Sequence, residues 1–146
     1  NYNGKAILFT APSGTGKSTQ AALWEQYKGA EIVNGDRVII REGAAGFEAC
    51  GIPVCGSSDI CLDRTLPIAA IVYLQQGTDN KIQMMRIAER IKSLISETTI
   101  SFFDQNFVER ALDILQRVGV QIPCYYYSCT KDAEAVKKLY DILEEN

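Results

Sequence analysis

Three side chains in the first quarter of the chain have the types and spacing to handle phosphate: Lys17, Ser18 and Asp36. Lys17 and Ser18 close the run Ala11-Pro12-Ser13-Gly14-Thr15-Gly16-Lys17-Ser18. Its A-x-x-x-x-G-K-S spacing is that of a phosphate-binding loop with alanine at the first position. Gly14 and Gly16 can adopt backbone angles closed to other residues, so successive N–H groups can turn inward around an anion. A helix starting at Lys17 directs its positive dipole end at the same anion. The candidate nucleotide-binding set is therefore Ser13, Gly14, Thr15, Gly16, Lys17, Ser18 and Thr19. Lys17 would supply a charge for the outer phosphates, and the Ser18 hydroxyl a ligand for Mg²⁺.

Phosphoryl transfer also needs an acid near the metal and the attacking group. Asp36, 19 positions after Lys17, is the best placed. A short strand expected over 31–33 would end at Asn34-Gly35-Asp36-Arg37 and carry Asp36 to the sheet edge where the loop delivers Lys17. Asp36 is thus a candidate both as catalytic acid–base and as metal ligand. The chain has no histidine, so any general base is a carboxylate or part of the substrate.

The elements that must hold these groups alternate between strand and helix. Residues 5–10 are a compact apolar run of strand length, followed by a helix over 17–28 whose inward face holds Ala21, Trp24 and Tyr27. Gly29 closes it. Residues 38–41 and 47–50 read as extended arms joined by a turn over 42–46, and 51–56 as another extended piece. Polar residues 57–66 read as a mobile loop. The run 67–74 is apolar throughout and belongs mid-sheet, covered on both faces. An extended stretch over 80–84 precedes a helix to about residue 95, with Ile87, Ala88, Ile91, Leu94 and Ile95 inward. A further helix is expected over 104–118, stopped by Gly119. A strand over 120–128 is interrupted by Pro123, which suggests an edge or an end. The last helix, over 132–143, buries Val136, Leu139, Tyr140 and Leu143.

At 146 residues and 47% hydrophobic, the chain suffices for one domain with a proper core. A net charge of −3 argues against a nucleic-acid partner, and no basic run suggests a membrane patch. No apolar stretch approaches the roughly 20 residues of a membrane span, and the opening apolar run is short and belongs to the loop. Five cysteines, an odd number, fit a reducing cytoplasm better than a disulfide framework, and small buried thiols are expected. The spacing of Cys50, Cys55 and Cys61 is not that of a zinc site.

Four stretches carry a family resemblance: P-S-G-T-G-K-S-T, E-I-V-N-G-D-R-V, G-I-P-V-C-G and P-I-A-A-I-V-Y-L-Q-Q-G-T-D-N-K-I. Together they resemble the C-terminal catalytic domain of HPr kinase/phosphorylase, and more closely the small HPr-kinase-related proteins of bacteria. The likeness spans about residues 4 to 100. It implies an α/β P-loop fold of the phosphoenolpyruvate-carboxykinase-like kind, a central mixed sheet with flanking helices. It also implies ATP and Mg²⁺ as cofactors, and a serine kinase acting on a protein or a small molecule. The family carries paired acids in an A-D-D-R-V stretch, where this chain has Asn34-Gly35-Asp36-Arg37-Val38 and keeps only Asp36. The family's histidine upstream of the phosphate loop has no counterpart here.

Three functions fit these residues. The first is an ATP-dependent kinase of the HPr-kinase-related group, with Arg64 or Arg37 steadying developing charge. The second is a small-metabolite kinase of the shikimate or gluconate kind, against which stands the glycine-rich region 42–56 in place of a helix. The third is a nucleotide-binding regulatory domain without turnover. The residues do not choose ATP over GTP or name the phosphoacceptor, and they leave homo-oligomerisation open.

Overall fold

In the computed structural model residues 1–145 are described, and they form an α/β domain. A six-stranded mixed sheet has helices on both faces. Strand β1 (Ala6–Thr10) leads through the glycine loop into α1 (Lys17–Lys28). The hairpin of β2 (Val38–Gly43) and β3 (Gly46–Gly51) follows, then the long β4 (Thr65–Gln76) and β5 (Lys81–Met84). Helices α2 (Ile87–Glu97) and α3 (Gln105–Gln121), strand β6 (Cys124–Cys129) and helix α4 (Ala133–Glu144) complete the chain. Among the described residues no helix is long and apolar enough to cross a membrane.

The apolar run centred on β4 organises the sheet, as its composition requires. β1 and β6 lie parallel to β4 on its opposite edges, paired through residues 68–73 and 71–76. β3 pairs antiparallel with its first residues, and β2 and β5 extend the sheet outward, also antiparallel. Alternation along β4 sends Ile71 and Tyr73 into one core and Val72 and Leu74 into the other. The first core packs on Leu94 of α2 and on Leu115 and Val118 of α3. The second packs on Trp24 of α1 and on Val136 and Leu139 of α4. Tyr126 and Tyr127 divide between the same two cores, so the tyrosine run is ordinary strand packing. Three parallel strands therefore end together: β1 in the glycine loop, β4 at Gln76 and β6 at Cys129.

Four expectations are corrected. No strand forms over 31–33. That stretch instead bonds at one end to the N-terminus, Glu31 N–H donating to Asn1 O at 2.9 Å, and at the other to the loop after β3, Leu62 N–H donating to Val33 O at 2.8 Å, with Gly35 N–H just beyond it donating to Ile60 O at 3.2 Å. Tyr27, Ile87, Ala88 and Ile95 are exposed rather than inward: Tyr27 and Ile87 lie in the end turns of their helices, and Ala88 and Ile95 are turned about 100° or more from the buried Leu94. The 57–66 loop is tied by a disulfide between Cys55 and Cys61, whose Cα atoms lie 5.0 Å apart, so these two are not the small buried thiols expected. Cys124 and Cys129 are free and buried; desolvation pushes the Cys124 thiol up to about 11.

Gly119, finally, sits inside α3 rather than at its end. The helix runs on to Gln121 and stops before Pro123, which cannot continue it. A Cβ at Gly119 would lie 2.7 Å from Ile91 Cγ1 and 3.3 Å from Ile91 N, so glycine lets α2 and α3 approach closely. Gly119→Ala gains about 0.5–1 kcal/mol of helix propensity but overpacks this contact at about 1–3 kcal/mol. Net destabilisation of about 1–2 kcal/mol is expected by urea unfolding; a more stable variant would show that α2 yields freely.

Candidate functional site

The glycine loop has the backbone its sequence demands. Gly14 has φ 79° and Gly16 φ 118°, both in the left-handed range that side-chain-bearing residues rarely enter. Gly16 is also the N-cap of α1; no side chain caps that end and no acid lies in its first turn. Its first-turn amides are therefore donors awaiting an acceptor. The Lys17 ammonium folds back over the loop, donating to Ala11 O at 2.7 Å and Pro12 O at 3.3 Å.

Lys17, Ser18, Asp36 and Arg37 line one cavity of about 320 Å³. Asp36 reaches it from a loop, since the strand expected to carry it is missing. An Asx turn fixes its position: Asn34 Oδ1 accepts from the Asp36 N–H at 2.8 Å and the Arg37 N–H at 3.0 Å, and Asn34 Nδ2 donates to Ile52 O at 2.8 Å. The disulfide-tied loop backs this turn, for a Cβ at Gly56 would lie 2.8 Å from Asp36 Cβ. Asn34 is thus a positioning residue that sequence reasoning passed over, although an Asn-Gly pair ahead of an acid is a recognisable turn signal.

Of the two candidate arginines, Arg37 stands at the cavity with its guanidinium 3.8 Å from Asp36. Arg64 does not join the cluster. Its guanidinium is engaged by Glu31 at 3.1 Å, a contact that, with a hydrogen bond from Asn1, holds the Glu31 carboxyl below its ordinary value. Arg64 is thus paired away from Asp36 and belongs to neither cavity wall.

On the other side of the loop lies a second cavity of about 320 Å³, with Thr15, Gly16, Gln76, Gly77, Thr130 and Lys131 in its wall. Two glutamines tie the loop and α1 to the strand ends here. Gln76 Nε2 donates to Gly14 O at 3.1 Å, and the buried Gln20 donates to Thr130 O at 3.1 Å. Neither is legible in the sequence, because a glutamine has no pattern that betrays a partner 62 or 110 residues away. Ser13, Gly14 and Thr19 belong to neither cavity wall.

The chemistry within reach is specific. A loop of uncapped amides and one ammonium offers donors to a polyphosphate. A hydroxyl and a carboxylate open on the same space. Compared with protein-family models, with curated proteins and with solved structures, the chain matches none.

Proposed function

We propose that this chain is an ATP- and Mg²⁺-dependent phosphotransferase that moves a phosphoryl group to a hydroxyl, built on a P-loop fold of the phosphoenolpyruvate-carboxykinase-like kind. The observation that carries the reading is the convergence of Lys17, Ser18 and Asp36 on one cavity beside a glycine loop in left-handed conformation. The nucleoside end fits the second cavity, and the triphosphate crosses the loop between the two. Lys17 exchanges its loop carbonyls for the outer phosphates, and Asp36 receives the acceptor's proton.

Mg²⁺ fits this donor set. Among the described residues no three histidine, cysteine or acidic groups converge into a metal cage. Magnesium usually keeps water and phosphate ligands and takes only one or two from protein, which Ser18 and Asp36 can supply. Its chemistry would be to neutralise charge on the phosphates. Calorimetric titration of the whole chain with ATP, with and without Mg²⁺, tests the reading. Saturable binding strengthened by Mg²⁺ is expected; absence of binding at millimolar ATP would reject it.

A non-catalytic nucleotide-binding domain is the second reading, favoured by the lack of a second acid beside Asp36 in Asn34-Gly35-Asp36-Arg37. Positioning and charge stabilisation supply most of the acceleration in loose phosphoryl transfer, so one acid is compatible with turnover.

A further inference from the structure

The chain's one disulfide lies beside the proposed site. Cys50, Cys124 and Cys129 are free, while Cys55 is joined to Cys61. A disulfide that stiffens a whole fold joins distant segments, since its stabilisation grows with the length of the loop it closes. This one spans a sequence separation of 6, inside a single loop, and ties no strand or long helix to another. What it shapes is local.

The ring it closes packs on the turn that carries Asp36. Cys61 itself pairs with Asn34 as an antiparallel bridge. Hydrogen bonds flank that bridge, from Gly35 N–H to Ile60 O at 3.2 Å and from Leu62 N–H to Val33 O at 2.8 Å. A Cβ at Gly35 would run into Ser58 Oγ, so the ring's short 3₁₀ turn (Gly56–Ser58) sits directly on the backbone of the Asp36 turn. Gly56 lies against the acid itself, where a Cβ would be 2.8 Å from Asp36 Cβ and 3.1 Å from its Cγ. Ser58 and Ile60 also line the cavity shared by Lys17, Ser18 and Asp36. The glycine loop, by contrast, is held by its own carbonyls and by Gln76. The disulfide therefore braces the acid side of the site and leaves the phosphate side alone.

We propose that the Cys55–Cys61 pair is a redox-modification site, whose reduction loosens the ring from the Asp36 turn and lowers Mg²⁺-dependent activity at the site. Both cysteines are half-buried and stand next to exposed residues, Val54, Gly56 and Leu62, so a reductant can reach them. The co-reactant is a dithiol. One of its thiolates attacks a sulfur of the pair; the S–S bond breaks, a mixed disulfide forms, and the released cysteine takes up a proton. The second thiol then closes the reductant's own disulfide and frees the other cysteine, which is protonated in turn. Two electrons and two protons pass, in sum, from the dithiol to the chain. With the cross-link gone the ring is an open loop, and the hydrogen bonds at Gly35 and Leu62 open more often. Asp36 then spends less of its time at the cavity. The brace stands on the ring and its contacts; that it regulates phosphoryl transfer rests on the kinase reading.

The test compares the whole chain, air-oxidised and after dithiothreitol, with the double variant Cys55→Ser, Cys61→Ser. Alkylation under denaturing conditions should label three cysteines in the oxidised chain and all five in the reduced one. Amide hydrogen exchange, read residue by residue by NMR, should speed about ten- to fiftyfold at Gly35 and Leu62 on reduction, the scale of a short cross-link's hold on its loop. Exchange at Val72 and Leu74 in β4 should not change. By calorimetry, the strengthening of ATP binding by Mg²⁺ should fall at least about threefold on reduction, while affinity without Mg²⁺ moves less than about twofold. The double variant should match the reduced chain throughout and ignore dithiothreitol, because its remaining cysteines are already free. Five labelled cysteines in the oxidised chain, unchanged exchange at Gly35 and Leu62 after reduction, or a loss of protection that reaches β4 would each overturn the proposal. So would ATP binding that Mg²⁺ strengthens equally in both states. ATP binding in neither state would reject the kinase reading instead, and exchange at Gly35 and Leu62 would still decide whether the disulfide braces the turn.

Discussion

Lys17→Ala is expected to weaken Mg²⁺·ATP binding by about 10- to 150-fold, the equivalent of one charge-assisted hydrogen-bonded contact worth about 1.5–3 kcal/mol. In the free protein the Lys17 ammonium already rests on Ala11 O and Pro12 O. Moving it to phosphate therefore exchanges neutral acceptors for charged ones, and only the difference appears in affinity. The loss in transfer rate should be larger, about 10²–10³-fold beyond binding, because charge develops on the transferring group and the bridging oxygen in the transition state. Lys17→Arg keeps the charge but presents a planar fork where a point charge is needed, so it should recover part of the affinity and little of the rate. Titration calorimetry at low and high ionic strength checks this, since added salt should narrow the gap between wild type and Lys17→Ala. Equal affinity in the two proteins would remove the ground for any nucleotide reading of the loop.

Asp36→Asn carries the second large effect. It should lower phosphoryl transfer by about 10²–10⁴-fold, the usual contribution of a general base, while ATP affinity in the absence of Mg²⁺ changes by no more than about threefold. Asparagine is isosteric, and the Asx turn that places residue 36 is made by its own N–H with the Asn34 side chain. The substitution removes a charge without moving the loop. If Asp36 is also a metal ligand, the variant loses the Mg²⁺ dependence of ATP binding along with the rate. Transfer of label from ATP to acceptors in a cell lysate, followed at several Mg²⁺ concentrations, separates the two roles. A rate within a factor of three of wild type would assign the proton to solvent or to a phosphate oxygen.

The parts of this protein legible in its sequence are those whose causes are local. The glycine loop is one: φ 79° at Gly14 and φ 118° at Gly16 are a property of residues without a side chain. The bounds of α1 follow from apolar spacing closed by Gly29, whose own φ is 67°. β4 was evident because a run apolar on every residue must be covered on both faces. Lys17 and Ser18 stand out through a motif and Asp36 through its distance along the chain, but that the three line one cavity is a matter of tertiary placement.

Tertiary structure decided the rest, because each remaining feature depends on a competition between distant partners. Glu31-Ile32-Val33 has strand-forming residues, yet Glu31 exchanges backbone bonds with Asn1 and Val33 O accepts from Leu62 N–H rather than from β1, and periodicity says nothing about which edge a strand will choose. Gly119 reads as a helix stop by type and is a helix contact by position, since only the approach of Ile91 from α2 gives its missing Cβ a purpose. Cysteine count could not reveal that Cys55 meets Cys61 behind the Asp36 turn. The cavity shared by Lys17, Ser18 and Asp36 is likewise lined by residues from distant parts of the chain, among them Trp24, Ala49 and Leu66. The sequence by itself determined the left-handed glycine loop and the helix that follows it; the chain's long-range packing alone determined the shape of the cavities beside them.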